Sequence, residues 1–272
     1  MEIIFSFLSQ LIFTVGVIIA FGLLIALCRK AFCNIVGEKG TKILLITGIV
    51  GTPIHELSHA LMCIVFGHKI TAIKLYQPDS SDGTLGYVEH SYNPKNIYQR
   101  VGNFFIGIAP ILGGSGVILL FMYLLVPNIF YDMQSELAFV SLITFDLLDT
   151  YTYLSILELF WSVIEIIFGF TNMGSILWWI FFLLAFMISN HMELSTADIK
   201  GGLSGLIVIV MLLLIADVVM YFISLNVLET FTNALISFSA SIIGFLAVSA
   251  VFSGIMILVA FAIKTASNLV KK

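Results

Sequence analysis

Residues 51–70 read GTPIHELSHALMCIVFGHKI. Almost every position is apolar or small, yet a glutamate stands between two histidines. Up to Phe66 the stretch belongs to an apolar block, residues 43–66, long enough to cross a bilayer. A carboxylate and two imidazoles are costly at that depth unless something pairs with them. The fold and the function both turn on what that partner is.

The rest of the chain confirms the setting. Of its 272 residues 60% are hydrophobic and only 10% charged, where a soluble domain carries about a quarter charged. Mean hydropathy is +1.11. The apolar residues run in long blocks rather than alternating, which is the pattern of spanning helices. The expected fold is therefore an all-α polytopic membrane protein set in the lipid bilayer. Six transmembrane helices are expected, at 3–28, 43–66, 102–126, 174–190, 203–224 and 234–263, with the third interrupted at APILGGSG. Residues 151–170 carry Glu158 and Glu165 on one helical face, so they read as an interfacial helix or a shorter inserted one. After the second span come KITAIKLYQ and GTLGYVEHSY, rich in β-branched and aromatic residues and separated by the turn cluster PDSSDG. That pattern predicts a small membrane-associated β-hairpin at 69–92.

Charge and cysteine usage exclude several classes. The basic residues are too few and scattered for a nucleic-acid surface. Cys28, Cys33 and Cys63 form no CxxC pair and no even framework, so neither disulfides nor a thiolate zinc site is expected. With both termini cytoplasmic, Lys69, Lys74, Lys95, Arg100, Lys200, Lys264, Lys271 and Lys272 fall inside. Only Arg29, Lys30, Lys39 and Lys42 fall outside, and the outer segments 127–150 and 225–233 carry acids but no bases. The bias favours that orientation. Size and the lack of targeting features suggest a bacterial-type cell membrane.

His55, Glu56 and His59 form H-E-x-x-H. On a helix, positions i and i+4 share a face, so both imidazoles can reach one metal ion. Zinc lowers the pKa of a bound water to about 7, and Glu56 beside it can take the proton. Shuffled at this composition, the pattern arises on the order of once in three hundred trials. Pro53, two residues before His55, is expected to start or bend the helix there, or to be an ordinary transmembrane kink. A third ligand is required, with one position left for water. The stretch SNHMELSTADIKGGLSG, residues 189–205, offers His191, Glu193 and Asp198. Asp198 can equally cap the next helix.

Taken together, H-E-x-x-H at 55–59, the hairpin just after it, GIAPILGG at 107–114, and Asn190 followed by Asp198 resemble the site-2 protease family of intramembrane zinc metalloproteases. The resemblance covers roughly residues 43–205, the protease-like core. Residues 1–42 and 206–272 then supply additional transmembrane helices within a single membrane domain. It implies one Zn2+ per chain held by His55, His59 and Asp198, with Glu56 catalytic. His191 and Glu193 are the alternatives for the third ligand. Asn190 is expected to bind substrate backbone or to cap its helix. The implied activity is hydrolysis of peptide bonds in or near transmembrane segments of membrane proteins or signal peptides, with the hairpin edge holding an unwound strand. DIKGG stands where the family has D-G, and the proline of its N-x-x-P element is absent. Those departures leave a second function in play: a catalytically inactive, metalloprotease-like membrane scaffold or binding protein. A transporter is disfavoured because no repeat of broken helices is visible. Asp217, inside the fifth span, is expected to hydrogen-bond a neighbouring helix.

Overall fold

A computed structural model describes residues 2–80, 83–140 and 148–270. Ser81 and Asp82 of the turn cluster, Asp146 of the outer acidic segment, Lys271 and Lys272 lie outside the described residues. The helices are α1 (Glu2–Leu11), α2 (Val17–Val36), α3 (Glu38–Val65), α4 (Ile97–Leu125), α5 (Pro127–Val140), α6 (Thr150–Phe168), α7 (Ile176–Ser189), α8 (Thr196–Ile223) and α9 (Leu225–Val270). A π-helical turn, Ile12–Gly16, joins α1 to α2. Six stretches are long and apolar enough to cross a membrane: Glu2–Val36, Glu38–Val65, Ile97–Leu125, Thr150–Phe168, Thr196–Ile223 and Leu225–Leu269. The chain is a multi-pass, largely helical membrane protein.

The membership of that set differs from expectation. Residues 174–190 form the 14-residue α7, started by Ser175 and ended at Asn190. At 1.5 Å per residue it rises about 21 Å, short of a hydrocarbon core of about 30 Å. The 151–170 segment instead forms the 19-residue α6, which is long enough. Residues 225–233 are no loop but the opening turns of α9, separated from α8 by Ser224 alone. Nor is the third span interrupted: α4 runs through APILGGSG with Pro110 in its interior. α3 likewise continues through Pro53, so it does not start there. It starts after Gly37, whose φ of +64° gives the tight turn from α2 that a side chain would strain. α3 and α8 both run antiparallel to α4: Gly113 and Gly102 of α4 meet Ser58 and Phe66, while its Gly107 and Phe104 meet Asp198 and Gly205, which brings His59 and Asp198 to one level.

The core forms around α4. Its Ile111, Ile118 and Met122 are fully buried, together with Phe181 and Ala185 of α7 and Phe252 of α9. α8 lies at the outside: 6% of its apolar window is buried, against 61% for α9. Its residues Met211, Leu212, Ile215 and Val219 face outward, as lipid contact requires. Small residues set the spacing of the helices that carry the site. A Cβ on Gly107 of α4 would meet the Asp198 carbonyl at 2.7 Å, so α8 can approach closely there. Gly113 lies against Ser58 and Gly114 against Met192, whereas Gly116 faces open space.

The hairpin forms as predicted. β1 (Lys69–Lys74) pairs antiparallel with β2 (Tyr87–Ser91), from Lys69↔Ser91 to Lys74↔Tyr87. The register shifts between Ile70 and Ala72, opposite His90 and Glu89. Such bulges re-aim side chains. Alternate residues Val88 and His90 are the less exposed ones of β2. Each strand keeps its second edge unpaired among the described residues.

Candidate metal centre

α3 places His55 and His59 one turn apart, with their Nε2 atoms 3.1 Å from each other. Asp198, in the first turn of α8, brings Oδ1 to 3.3 Å from His59 Nε2. The ligand atoms of the three residues all lie within 4.8 Å of one another. A tetrahedral ion with bonds of about 2.0–2.1 Å has ligand–ligand edges of about 3.3 Å. The two edges that meet at His59 Nε2, 3.1 and 3.3 Å, are close to that figure, and the third lies within 4.8 Å.

The hydrogen bonds behind the imidazoles decide which atoms face the centre. His55 Nδ1–H donates to the His191 carbonyl at 2.6 Å, and His59 Nδ1–H to the Ile106 carbonyl at 2.8 Å. A carbonyl only accepts, so each ring proton sits on Nδ1 and each neutral Nε2 presents a lone pair. Two lone pairs 3.1 Å apart repel unless a cation lies between them. Backbone acceptors behind histidine ligands are the usual way of aiming imidazoles at a metal.

Both carbonyls are free for a local reason. Ile106 lies four residues before Pro110, which has no N–H to return to it. The proline in α4 thus releases the acceptor that orients His59. His191 follows the end of α7, where helix carbonyls lose their intrahelical partners. The Asp198 carboxylate divides its work. Oδ2 accepts the Ser195 N–H at 2.8 Å, while Ser195 Oγ accepts the Asp198 N–H at 3.1 Å, completing a capping box. Oδ1 remains for the imidazoles. Of the two roles weighed for Asp198 in the sequence, the cap is present, and it leaves Oδ1 beside His59 Nε2.

Glu56 is 5% exposed and lines the same cavity, of about 470 Å³, as His55, His59 and Asp198. Residues Gly83–Val88 form one wall. Gly86 leaves the space that Glu56 uses: a Cβ there would come within 2.8 Å of Glu56 Cγ. A second, almost wholly apolar cavity of about 290 Å³ lies between α2 and α8 and also reaches Asp198.

The other predicted residues fall into place differently. The His191 ring lies between Thr47 Oγ1 at 3.0 Å and Thr52 Oγ1 at 3.4 Å, so it serves the centre through its backbone. Glu193 forms an ion pair with Arg29 of α2 at the cavity wall. Asn190 is 1% exposed, donates from Nδ2 to the Phe186 carbonyl at 2.8 Å, and does not line the cavity. That is the placement of a helix-end cap.

Sequence reasoning missed His90, His68 and Arg29. His90 lines the cavity and meets His68, Nδ1 to Nδ1, at 3.0 Å. His68 Nε2–H donates to the Gln99 carbonyl at 2.8 Å, so its Nδ1 accepts the His90 proton and His90 Nε2 keeps a lone pair. Burial, with His68 and His59 nearby, holds His90 below the usual histidine range. The period-2 pattern of the predicted hairpin, which puts His90 on the face of Val88, was the available signal. Nothing in the sequence singles out Arg29. Comparison of the chain with protein-family models, with curated proteins and with solved structures gives no match.

Proposed function

We propose that the chain is an intramembrane zinc metalloendopeptidase that cuts within or beside transmembrane segments of other membrane proteins or signal peptides. The observation that carries this reading is the pair of imidazole lone pairs, 3.1 Å apart and fixed from behind by backbone carbonyls, with a carboxylate oxygen 3.3 Å away. One Zn2+ fits that donor set and, when bound, supplies Lewis acidity for a water and a peptide carbonyl.

The chain's own residues do the rest. His55, His59 and Asp198 hold the ion. Glu56 takes the water's proton and passes it to the leaving amine. The unpaired edge of β2 and the adjoining Gly83–Tyr87 segment accept an unwound substrate strand by β-addition. The apolar cavity between α2 and α8 offers a transmembrane segment an approach ending at Asp198. The orientation with both termini cytoplasmic, in a bacterial-type membrane, belongs to the same proposal. It rests on the lysine and arginine count.

The test is the zinc content of the detergent-purified chain. Wild type and Glu56→Gln are expected to hold about one zinc per chain, and His55→Ala and Asp198→Ala to lose it. A wild type that binds no supplied zinc would overturn the reading and leave an inactive scaffold.

A further inference from the structure

Near its C-terminal end α8 carries an acid that the metal centre does not use. Asp217 and Gln10 of α1 are 0% exposed, and Thr232 of α9 is buried beside them. The Gln10 amide nitrogen donates to Asp217 Oδ1 and to Thr232 Oγ1, each at 2.8 Å. Both amide hydrogens are then in use. Two acceptors are left without any donor: Gln10 Oε1 and Asp217 Oδ2.

No cation answers the acid. Among the described residues Asp217 forms no ion pair. The charged groups on the helices packed around it are Glu2 of α1, Arg100 of α4, Asp198 and Lys200 of α8, and Glu229 and Lys264 of α9. Glu2 and Glu229 are exposed. The Arg100 carbonyl lies against Gly205, twelve residues or about 18 Å along α8 from Asp217. An ionised carboxylate here would stand alone inside an apolar span, which is expensive.

One hydrogen resolves both problems. On Asp217 Oδ2 it removes the charge and supplies the donor that Gln10 Oε1 lacks. Amide N–H to acid C=O and acid O–H to amide C=O then close a two-point ring. We propose that Asp217 is a proton-binding site, and that the neutral acid forms with Gln10 a clasp joining α1 to α8 and, through Thr232, to α9. A metal cation suits the junction less well. Hard cations such as Ca2+ take six to eight oxygens, and this junction offers four side-chain oxygens, two of which already accept from Gln10.

The clasp has a counterpart at the other end of the same span. Gln10 and Arg29 both belong to the Glu2–Val36 stretch, and Arg29 pairs with Glu193 just ahead of α8. The first span is thus tied at one end by a neutral pair and at the other by a charged one. The π-helical turn Ile12–Gly16 begins two residues after Gln10, and Thr14 Oγ1 donates back to the Gln10 carbonyl at 2.5 Å.

The full-length chain in detergent provides the test. Infrared spectra at neutral pH are expected to show a protonated-carboxyl stretch that shifts in D2O and is missing from Asp217→Asn. Asparagine reproduces the neutral acid, with its NH2 donating to Gln10 Oε1. Asp217→Asn is therefore expected to fold and to melt within about 2 °C of wild type. Failure of Asp217→Asn to fold, or an infrared difference showing only ionised carboxylate, would overturn the proposal. A wild-type melting temperature that rises with NaCl, but not with choline chloride at equal ionic strength, would do so too by assigning the site to sodium.

Discussion

α8 carries an acid near each end, and the two live in opposite surroundings. Asp198, with its side chain 15% exposed, faces a polar cavity, two imidazole lone pairs and a capping serine. Asp217, nineteen residues or about 28 Å further along the helix, is fully buried and meets one amide, which also bonds a threonine hydroxyl. At the first end acceptors converge from three directions on space that a cation fits. At the second, two leftover acceptors belong to a single pair of side chains, and a proton is enough. On the two proposals, the same residue type serves as a metal ligand at one end and a neutral hydrogen-bonding group at the other, according to how many acceptors its neighbours aim at one point.

The sharpest way to break this comparison is to neutralise each acid in turn. Asp198→Asn is expected to weaken zinc binding by about a hundredfold or more, because roughly 10–16 kcal/mol of zinc affinity is shared among few ligands. Asp217→Asn is expected to leave zinc affinity within about twofold, because additivity holds between distant sites. Competition titration with a chromogenic chelator reads both. Equal losses would mean that the two ends are coupled and that the contrast is false. Glu56→Gln is the companion experiment. It is expected to keep zinc while cleavage of a transmembrane test substrate falls about 10²–10⁴-fold. Undiminished cleavage would remove Glu56 from the chemistry.

These two ends were not equally legible in the sequence. H-E-x-x-H announces itself because its residues sit four apart on one helix, so local spacing carries the geometry. Asp198 was one of three candidates in 189–205 and was singled out only through the resemblance, since 139 residues separate it from His59 and no periodicity spans that gap. The Asp217–Gln10 contact joins residues 207 apart, and only the need of a buried acid for a partner could be foreseen. Hydropathy located the spanning blocks and left α6 open between an interfacial and an inserted helix, but it took the 14-residue α7 for a span. It measures apolarity, while the length of α7 was set by Ser175 and Asn190 at its ends. The placement of His90 was implicit in strand alternation. That of Arg29 depends on packing of the first span against Glu193, which leaves no local mark.

Pro110 offers a smaller, more selective perturbation of the metal end. Alanine restores an N–H four residues after Ile106, which competes with His59 Nδ1–H for the same carbonyl. Loss of a partner behind a metal ligand typically costs about 10–100-fold in affinity. The expected effect is near the lower figure, because a carbonyl has two lone pairs and can serve both donors in part. Zinc titration of Pro110→Ala checks it, with nitrogen NMR of His59 reporting the tautomer. An unchanged affinity would mean that the proline shapes the helix without orienting the ligand.

The smallest effect is expected at Ser195, where capping and the proposed metal binding share one carboxylate. Ser195→Ala removes the hydroxyl that accepts the Asp198 N–H at 3.1 Å but leaves the Ser195 backbone N–H, which donates to Asp198 Oδ2 at 2.8 Å. Loss of an N-cap hydroxyl costs about 1 kcal/mol of helix stability, so thermal unfolding should start slightly earlier. Zinc affinity should fall only a few-fold, because the bond that aims Oδ1 at His59 comes from the backbone and survives. A zinc loss as large as that of Asp198→Asn would show that the hydroxyl, not the backbone, sets the carboxylate. The metal end of α8 would then depend on a single side-chain hydrogen bond, much as the other end depends on Gln10.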